Sequence, residues 1–286
     1  MPSIETISPV WVTTYALMLG LCVGSFLNVV ILRLPKMMAI AWRRDCHEYL
    51  DINDTQKQHT SFNLVFPASH CPKCNHKIKP WENIPAISYL FLKGKCSNCG
   101  VKIPFRYPLI ELITGLLSAF VVWKLGATIS GGMGLLLTWS LVCLTVIDID
   151  EQLLPDSITL PLMWLGLLLS SYGIFTDLSS AVWGAAMGYL SLWSVYWAFK
   201  FFTGKDGMGF GDFKLLAALG AWMGWQSLPL IILLSSLVGA VIGIGMVVAQ
   251  GKDKSQPIPF GPYLAIAGWI AFFWGDVITQ AYLGSF

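Results

Sequence analysis

The chain has 286 residues, 55% of them hydrophobic and only 12% charged, with a mean hydropathy of +0.65 and a formal net charge of +2. A charged fraction about half that usual for a soluble domain excludes a water-soluble globular protein. The near-neutral balance gives no general electrostatic reason to bind nucleic acid.

The sequence therefore reads as an all-α polytopic membrane protein. Apolar stretches of roughly 17 to 25 residues cross a bilayer as helices, and about eight candidates follow one another: Val10 to Ile31, Tyr107 to Trp123, Gly132 to Ile147, Ser157 to Ile174, Ala181 to Phe202, Asp212 to Met223, Leu228 to Ala249 and Pro259 to Tyr282. Residues 1 to 9 carry no Lys or Arg, and the apolar run after them is too long for a signal-peptide core, so the first span is expected to be retained. The sixth span is short and is kept because, without it, the chain's two acidic clusters would fall on opposite faces of the membrane. The expected organisation is a first transmembrane helix (1–31), a small hydrophilic loop domain (32–106) and a membrane bundle (107–286).

With eight spans, 17 of the 18 Lys and Arg residues lie on one side: 12 in the first loop, three in 200–214 and two in 251–258, with only Lys124 opposite. The positive-inside rule makes that side cytoplasmic and places both termini in the periplasm. The start of the loop, Lys36 to Leu50, is basic and apolar with Met37, Met38, Ile40 and Trp42. It fits either a helix lying along the membrane surface or an ordinary loop helix.

Within that loop, Cys71-Pro-Lys-Cys74 and Cys96-Ser-Asn-Cys99 are two Cys-x-x-Cys pairs separated by 21 residues. Four thiolates at this spacing point to a closed, tetrahedral, structural Zn²⁺ site. The alternative, two disulfides, is disfavoured in a compartment that keeps thiols reduced. His70 or His76 in place of one thiolate remains open. Cys22 and Cys143 lie within spans as packing residues, and Cys46 has no partner in sequence.

Two further stretches carry chemistry. Asp148-Ile-Asp-Glu-Gln-Leu-Leu-Pro-Asp156 ends one apolar segment, and Gly207-Met-Gly-Phe-Gly-Asp-Phe-Lys214 delivers Asp212 to the start of another, at the position of a helix N-cap. All four histidines lie in the first loop, so a Ser-His-Asp triad or a His-Glu-x-x-His metalloprotease helix within the bundle is excluded. Neither a phosphate-binding Gly-Lys-Ser/Thr loop nor a dinucleotide fingerprint is present. Carboxylates remain, and at membrane depth they are functional by default. Two that share a proton supply one acid and one base to activate water against a peptide bond. The helix ends suggest Asp212, at an N-terminus, as base and Asp148, at a C-terminus, as acid.

These residues carry a resemblance. Asp148-x-Asp-x-x-x-Leu-Pro-Asp156, Gly209-Phe-Gly-Asp212-Phe-Lys214, the two Cys-x-x-Cys pairs, and Gly24-Ser-Phe-Leu-Asn28 before Arg33-Leu-Pro35 together resemble the bacterial prepilin peptidases of type IV pilus and type II secretion systems, from about Gly20 to Tyr282. The Gly-x-Gly-Asp element alone is shared with other intramembrane aspartic proteases. The resemblance implies catalytic aspartates at Asp148 and Asp212, prepilin and pseudopilin substrates cut after the glycine of a short basic leader, and an inner-membrane location. It also implies N-methylation of the new amino terminus from S-adenosylmethionine, with Gly94-Lys95 matching an element associated with methyl transfer. No cofactor fingerprint in the sequence points to that second activity independently.

Two other functions fit membrane carboxylates. An ion- or proton-coupled transporter would place them near the midplane on internal repeats, whereas here they cluster at one interface. A metal-dependent lipid phosphotransferase would use the Asp148–Asp156 cluster to hold Mg²⁺.

Overall fold

A computed structural model describes residues 8–51, 62–250 and 259–283. The terminal residues, whose periplasmic placement the charge count implied, and the basic stretch 251–258 lie outside the described residues. Among the described residues the chain forms nine α-helices: α1 (Pro9–Tyr49), α2 (Ile87–Phe91), α3 (Arg106–Leu125), α4 (Ile129–Glu151), α5 (Asp156–Ser170), α6 (Leu178–Thr203), α7 (Phe210–Met223), α8 (Leu228–Gln250) and α9 (Gly261–Leu283). Two isolated antiparallel bridges, His70 with Lys77 and Lys95 with Lys102, are the β-structure among them. Five segments are long and apolar enough to cross a membrane: α1, α3, α4, Trp225–Gly245 (a short 3-10 turn leading into α8) and α9. α5 and α7 have 15 and 14 residues, and α6, at 26 residues, is diluted by Ser, Tyr and Trp.

The first helix is longer than expected. Instead of ending at Ile31 it runs unbroken through Pro35 to Tyr49, so the basic segment Lys36–Leu50 is its continuation. Proline removes one intrahelical bond, but the following Lys-Met-Met-Ala-Ile-Ala run has high helix propensity and carries the helix on. At 1.5 Å per residue its 41 residues extend about 60 Å, twice the hydrocarbon thickness, so its C-terminal part projects beyond the bilayer.

The chain divides into two compact units, Met1–Trp139 and Ser140–Phe286. In the first, α1 crosses α3 through small residues. A Cβ on Gly24 would lie 2.7 Å from the Glu111 Cα, and one on Gly20 would overlap Ser118 and approach the Gly115 Cα to 2.9 Å. Such close backbone approach substitutes for a hydrophobic drive that lipid cannot supply. Asn28 closes the crossing by donating from Nδ2 to the Tyr107 carbonyl at 3.2 Å. Arg33 donates to the carbonyls of Asn63 and Pro67, at 3.0 and 2.6 Å, and so fixes the chain entering the cysteine loop.

The second unit is built around α7, which packs on α5, α6 and α9. Ten of its 14 residues are buried, Phe213 and Leu215 to Trp222 among them, which is why it is apolar on every side. The Trp222 indole donates to the Leu162 carbonyl at 2.8 Å. The Ser170 hydroxyl donates to the Ala221 carbonyl at 3.2 Å. Gly184 and Gly220 meet where α6 crosses α7. The fourth and sixth expected spans are thus short helices, α5 stopping at Ser170 rather than Ile174. α7 begins two residues before the expected start, because Gly209 rather than Asp212 is its N-cap.

Candidate active site

Asp212 occupies the first turn of α7, three residues past the Gly209 cap, with its N–H donating to the Gly209 carbonyl at 3.3 Å. The loop leading to it is held by a small polar cluster. α6 ends at Gly204 in the left-handed conformation, φ +68°. Asp206 then accepts from the Tyr196 hydroxyl at 2.6 Å and pairs with Lys200 at 2.8 Å. That ammonium keeps the Asp206 carboxyl below its usual range. Tyr196 also meets the rings of Phe210 and Phe213 edge-on or tilted, which fixes the helix start from the other side.

Asp148 sits near the C-terminal end of α4, where Gln152 closes the helix at φ +51° and donates to the Asp148 carbonyl at 3.0 Å. Its carboxylate Oδ2 accepts the Gly261 N–H, the first residue of α9, at 3.0 Å. Both aspartates are buried, 5% and 7% exposed. Leu154 fills the space beside them. A Cβ on Gly211 would lie 2.7 Å from the Leu154 Cβ, and one on Gly261 2.7 Å from Asp148 Oδ2 and 3.1 Å from Leu154 Cδ1. Glycine at both positions is a demand of close approach.

The other members of the acidic motif separate from this pair. Asp150 and Glu151 are exposed. Asp156, at the first residue of α5, receives the Lys214 Nζ on both carboxylate oxygens at 2.7 Å. That contact ties α5 to α7 two residues beyond Asp212.

The four cysteines Cys71, Cys74, Cys96 and Cys99 come together, all Sγ atoms within 4.8 Å of one another. Cys71 and Cys99 are 3.8 Å apart and Cys74 and Cys96 4.0 Å. A tetrahedron of thiolates at a metal–sulfur distance of about 2.3 Å has edges of about 3.8 Å, so the donor set fits one tetrahedral metal. The two pairs are built alike. Asn75 N–H donates to Cys71 O and Gly100 N–H to Cys96 O, each donor at positive φ, and each turn is flanked by one of the two antiparallel bridges. The histidines left open as ligands have other partners: His70 Nδ1 lies 3.0 Å from the Ala68 carbonyl and His76 Nε2 3.3 Å from Glu82. The Lys79 N–H is the main cause holding the Glu82 carboxyl at about 2.

Gly94 and Lys95 form the turn between α2 and the second cysteine pair. Gly94 is buried at φ +65°, donating to the Tyr89 carbonyl at 2.9 Å and accepting the Ile103 N–H at 2.8 Å, while Lys95 is exposed. Sequence reasoning missed Gly261, Leu154 and the partner of Glu111. Glu111, on α3, is buried, and its Oε2 accepts the Ala86 N–H at 2.8 Å. A buried acid inside a span carried the signal, but its partner is a backbone group distant in sequence.

Comparison with known proteins agrees with the motifs. Residues 18–125 match the family model described as Bacterial Peptidase A24 N-terminal domain, and residues 135–244 match that of the Type IV leader peptidase family. Relatives named Prepilin leader peptidase/N-methyltransferase include one from Stutzerimonas stutzeri, 59% identical over 94% of this chain and 92% of the relative. One from Pseudomonas aeruginosa is 59% identical over 93% and 92%, and one from Dichelobacter nodosus 50% identical over 92% of each. No solved structure gives a significant match.

Proposed function

The chain belongs to the type IV leader peptidase family, and from that premise we propose that it cleaves the leaders of type IV prepilins and pseudopilins with Asp148 and Asp212 as a shared acid–base pair, then N-methylates the new amino terminus from S-adenosylmethionine. One carboxyl, ionised, takes a proton from water as it attacks the scissile carbonyl; the other, protonated, donates to the departing amine. The supporting observation is that two acids 64 positions apart are both buried, Asp148 bonded to Gly261 at the start of α9 and Asp212 following Gly211, with Leu154 packed against both of those glycines. The helix-end argument does not divide their roles, because Asp148 lies between the C-terminal end of α4 and the N-terminal end of α9, whose fields oppose.

The cysteine cluster fits one structural Zn²⁺ that holds the two turns together, with no position left for a catalytic water. Gly94 and Lys95 are assigned to methyl transfer by resemblance. The short α5 and α7 and the less apolar α6 complete about eight crossings of the bacterial inner membrane, with the cysteine loop and the aspartates on the cytoplasmic side and both termini periplasmic. A prepilin leader is cytoplasmic and basic, and its apolar helix is membrane-embedded, so its scissile bond would lie at that interface, beside the exposed Asp150 and Glu151.

The test is an in-membrane assay of a prepilin substrate with Asp148→Asn, Asp212→Asn and Cys71→Ser variants, scored separately for cleavage and methylation. Loss of cleavage in the first two, with methylation of an already-cut substrate retained, supports separate centres. Full cleavage by either aspartate variant contradicts the reading.

A further inference from the structure

α2 is a five-residue helix held at its start by α3 and at its middle by the residues that lead into α3. At its start, the Ala86 N–H donates to Glu111 Oε2 at 2.8 Å. Glu111 lies five residues into α3, so this contact is about 7 Å inward from Arg106 along the helix axis. Further on, the Tyr89 ring meets Phe105, the residue before α3, edge-on at 6.2 Å, and its hydroxyl donates to the Ile103 carbonyl at 3.3 Å. α2 therefore runs alongside the first turns of a helix apolar enough to cross the membrane. With Tyr89 turned inward, the opposite face presents Ile87, Leu90 and Phe91, the last two 75% and 83% exposed. α3 itself exposes apolar side chains, Leu109, Leu112, Ile113 and Leu116.

We propose that α2 is an interfacial anchor: the Ile87–Leu90–Phe91 face enters the lipid beside α3, with Lys93 at the headgroup level, so that the segment leading to Gly94 is held at the bilayer surface. Three observations favour lipid as the occupant. The face belongs to a segment bonded to a helix apolar enough to span the membrane. Its depth is set by a hydrogen bond made inside that span. It ends in a lysine, and bulky apolar groups followed by a cation are the arrangement of elements that lie in the interface. The inference rests on the membrane assignment of α3 and is independent of the aspartate pair.

The experiment is photo-crosslinking of the full, metal-loaded chain in vesicles of phosphatidylethanolamine and phosphatidylglycerol. Phe91→p-benzoylphenylalanine and Leu90→p-benzoylphenylalanine are compared with the same substitution at Leu116, on the mid-span surface of α3, and at Tyr49, exposed at the projecting end of α1. Each variant is first shown to cleave prepilin. Lipid adducts at positions 90 and 91 comparable to those at 116, and several-fold above those at 49, are expected. No lipid adducts at 90 and 91, labelling equal to that at 49, or adducts to an added prepilin helix in place of lipid would overturn the proposal.

Discussion

The Asp148 carboxylate is closed onto the first residue of α9, accepting the Gly261 N–H at 3.0 Å with no room for a side chain between them. Gly261→Ala should therefore displace Asp148 or Leu154, because the added carbon would stand 2.7 Å from Oδ2. A displacement of about 1 Å at a reacting group costs on the order of 100-fold in rate. Cleavage by this variant is expected to fall by about that factor, with methylation of pre-cut substrate unchanged. Unaltered cleavage kinetics would mean that the α9 contact does not position Asp148.

The ion pair between Asp156 and Lys214 predicts a different pattern. The side chains are 53% and 28% exposed, so the pair contributes only about 0–1 kcal/mol to stability. Its effect is on alignment, since it joins the start of α5 to the turn that bears Asp212. Asp156→Asn and Lys214→Met should each slow cleavage roughly 10-fold with little change in melting temperature. The exchanged pair, Asp156→Lys with Lys214→Asp, should recover most of the loss. A swap no better than the single variants would show that the contact is incidental.

Metal removal should act on the loop domain. The four cysteines could hold a metal ion, and where such a site binds Zn²⁺ its binding energy holds a small fold together. The purified protein is expected to contain one Zn²⁺ per chain, lost in Cys71→Ser and Cys99→Ser. Because Gly94-Lys95 leads directly into Cys96, methylation should fail before cleavage does as chelator is raised. Metal analysis alongside the two activities checks this, and simultaneous loss of both would contradict it.

The readable features were those whose chemistry is local. Two Cys-x-x-Cys pairs announce a metal because each pair forms its own turn, and the structure brings all four together. The acidic motif and the glycine turn stand out in the sequence for the same reason, and the structure buries Asp148 and Asp212. Contacts set by tertiary packing were not legible: Gly261 falls at the start of the expected span Pro259 to Tyr282, but nothing local marks it as the partner of the Asp148 carboxylate. The first span and the basic segment Lys36 to Leu50 were read as separate because charge and proline intervene, whereas the helix-forming run after Pro35 makes them one helix. Asp212 looked like a cap because Asp is a favoured capping residue, yet Gly209 takes that place and leaves Asp212 in the first turn.

The most direct measurement is a double-variant cycle on cleavage of a prepilin in vesicles, using Asp148→Asn, Asp212→Asn and both together, with methylation of pre-cut substrate as the folding control. If the two carboxyls work as one unit, each single variant loses about 100- to 10,000-fold and the double variant is no slower than the worse single. Near-normal cleavage by either single variant, or losses that multiply in the double, would contradict a shared pair.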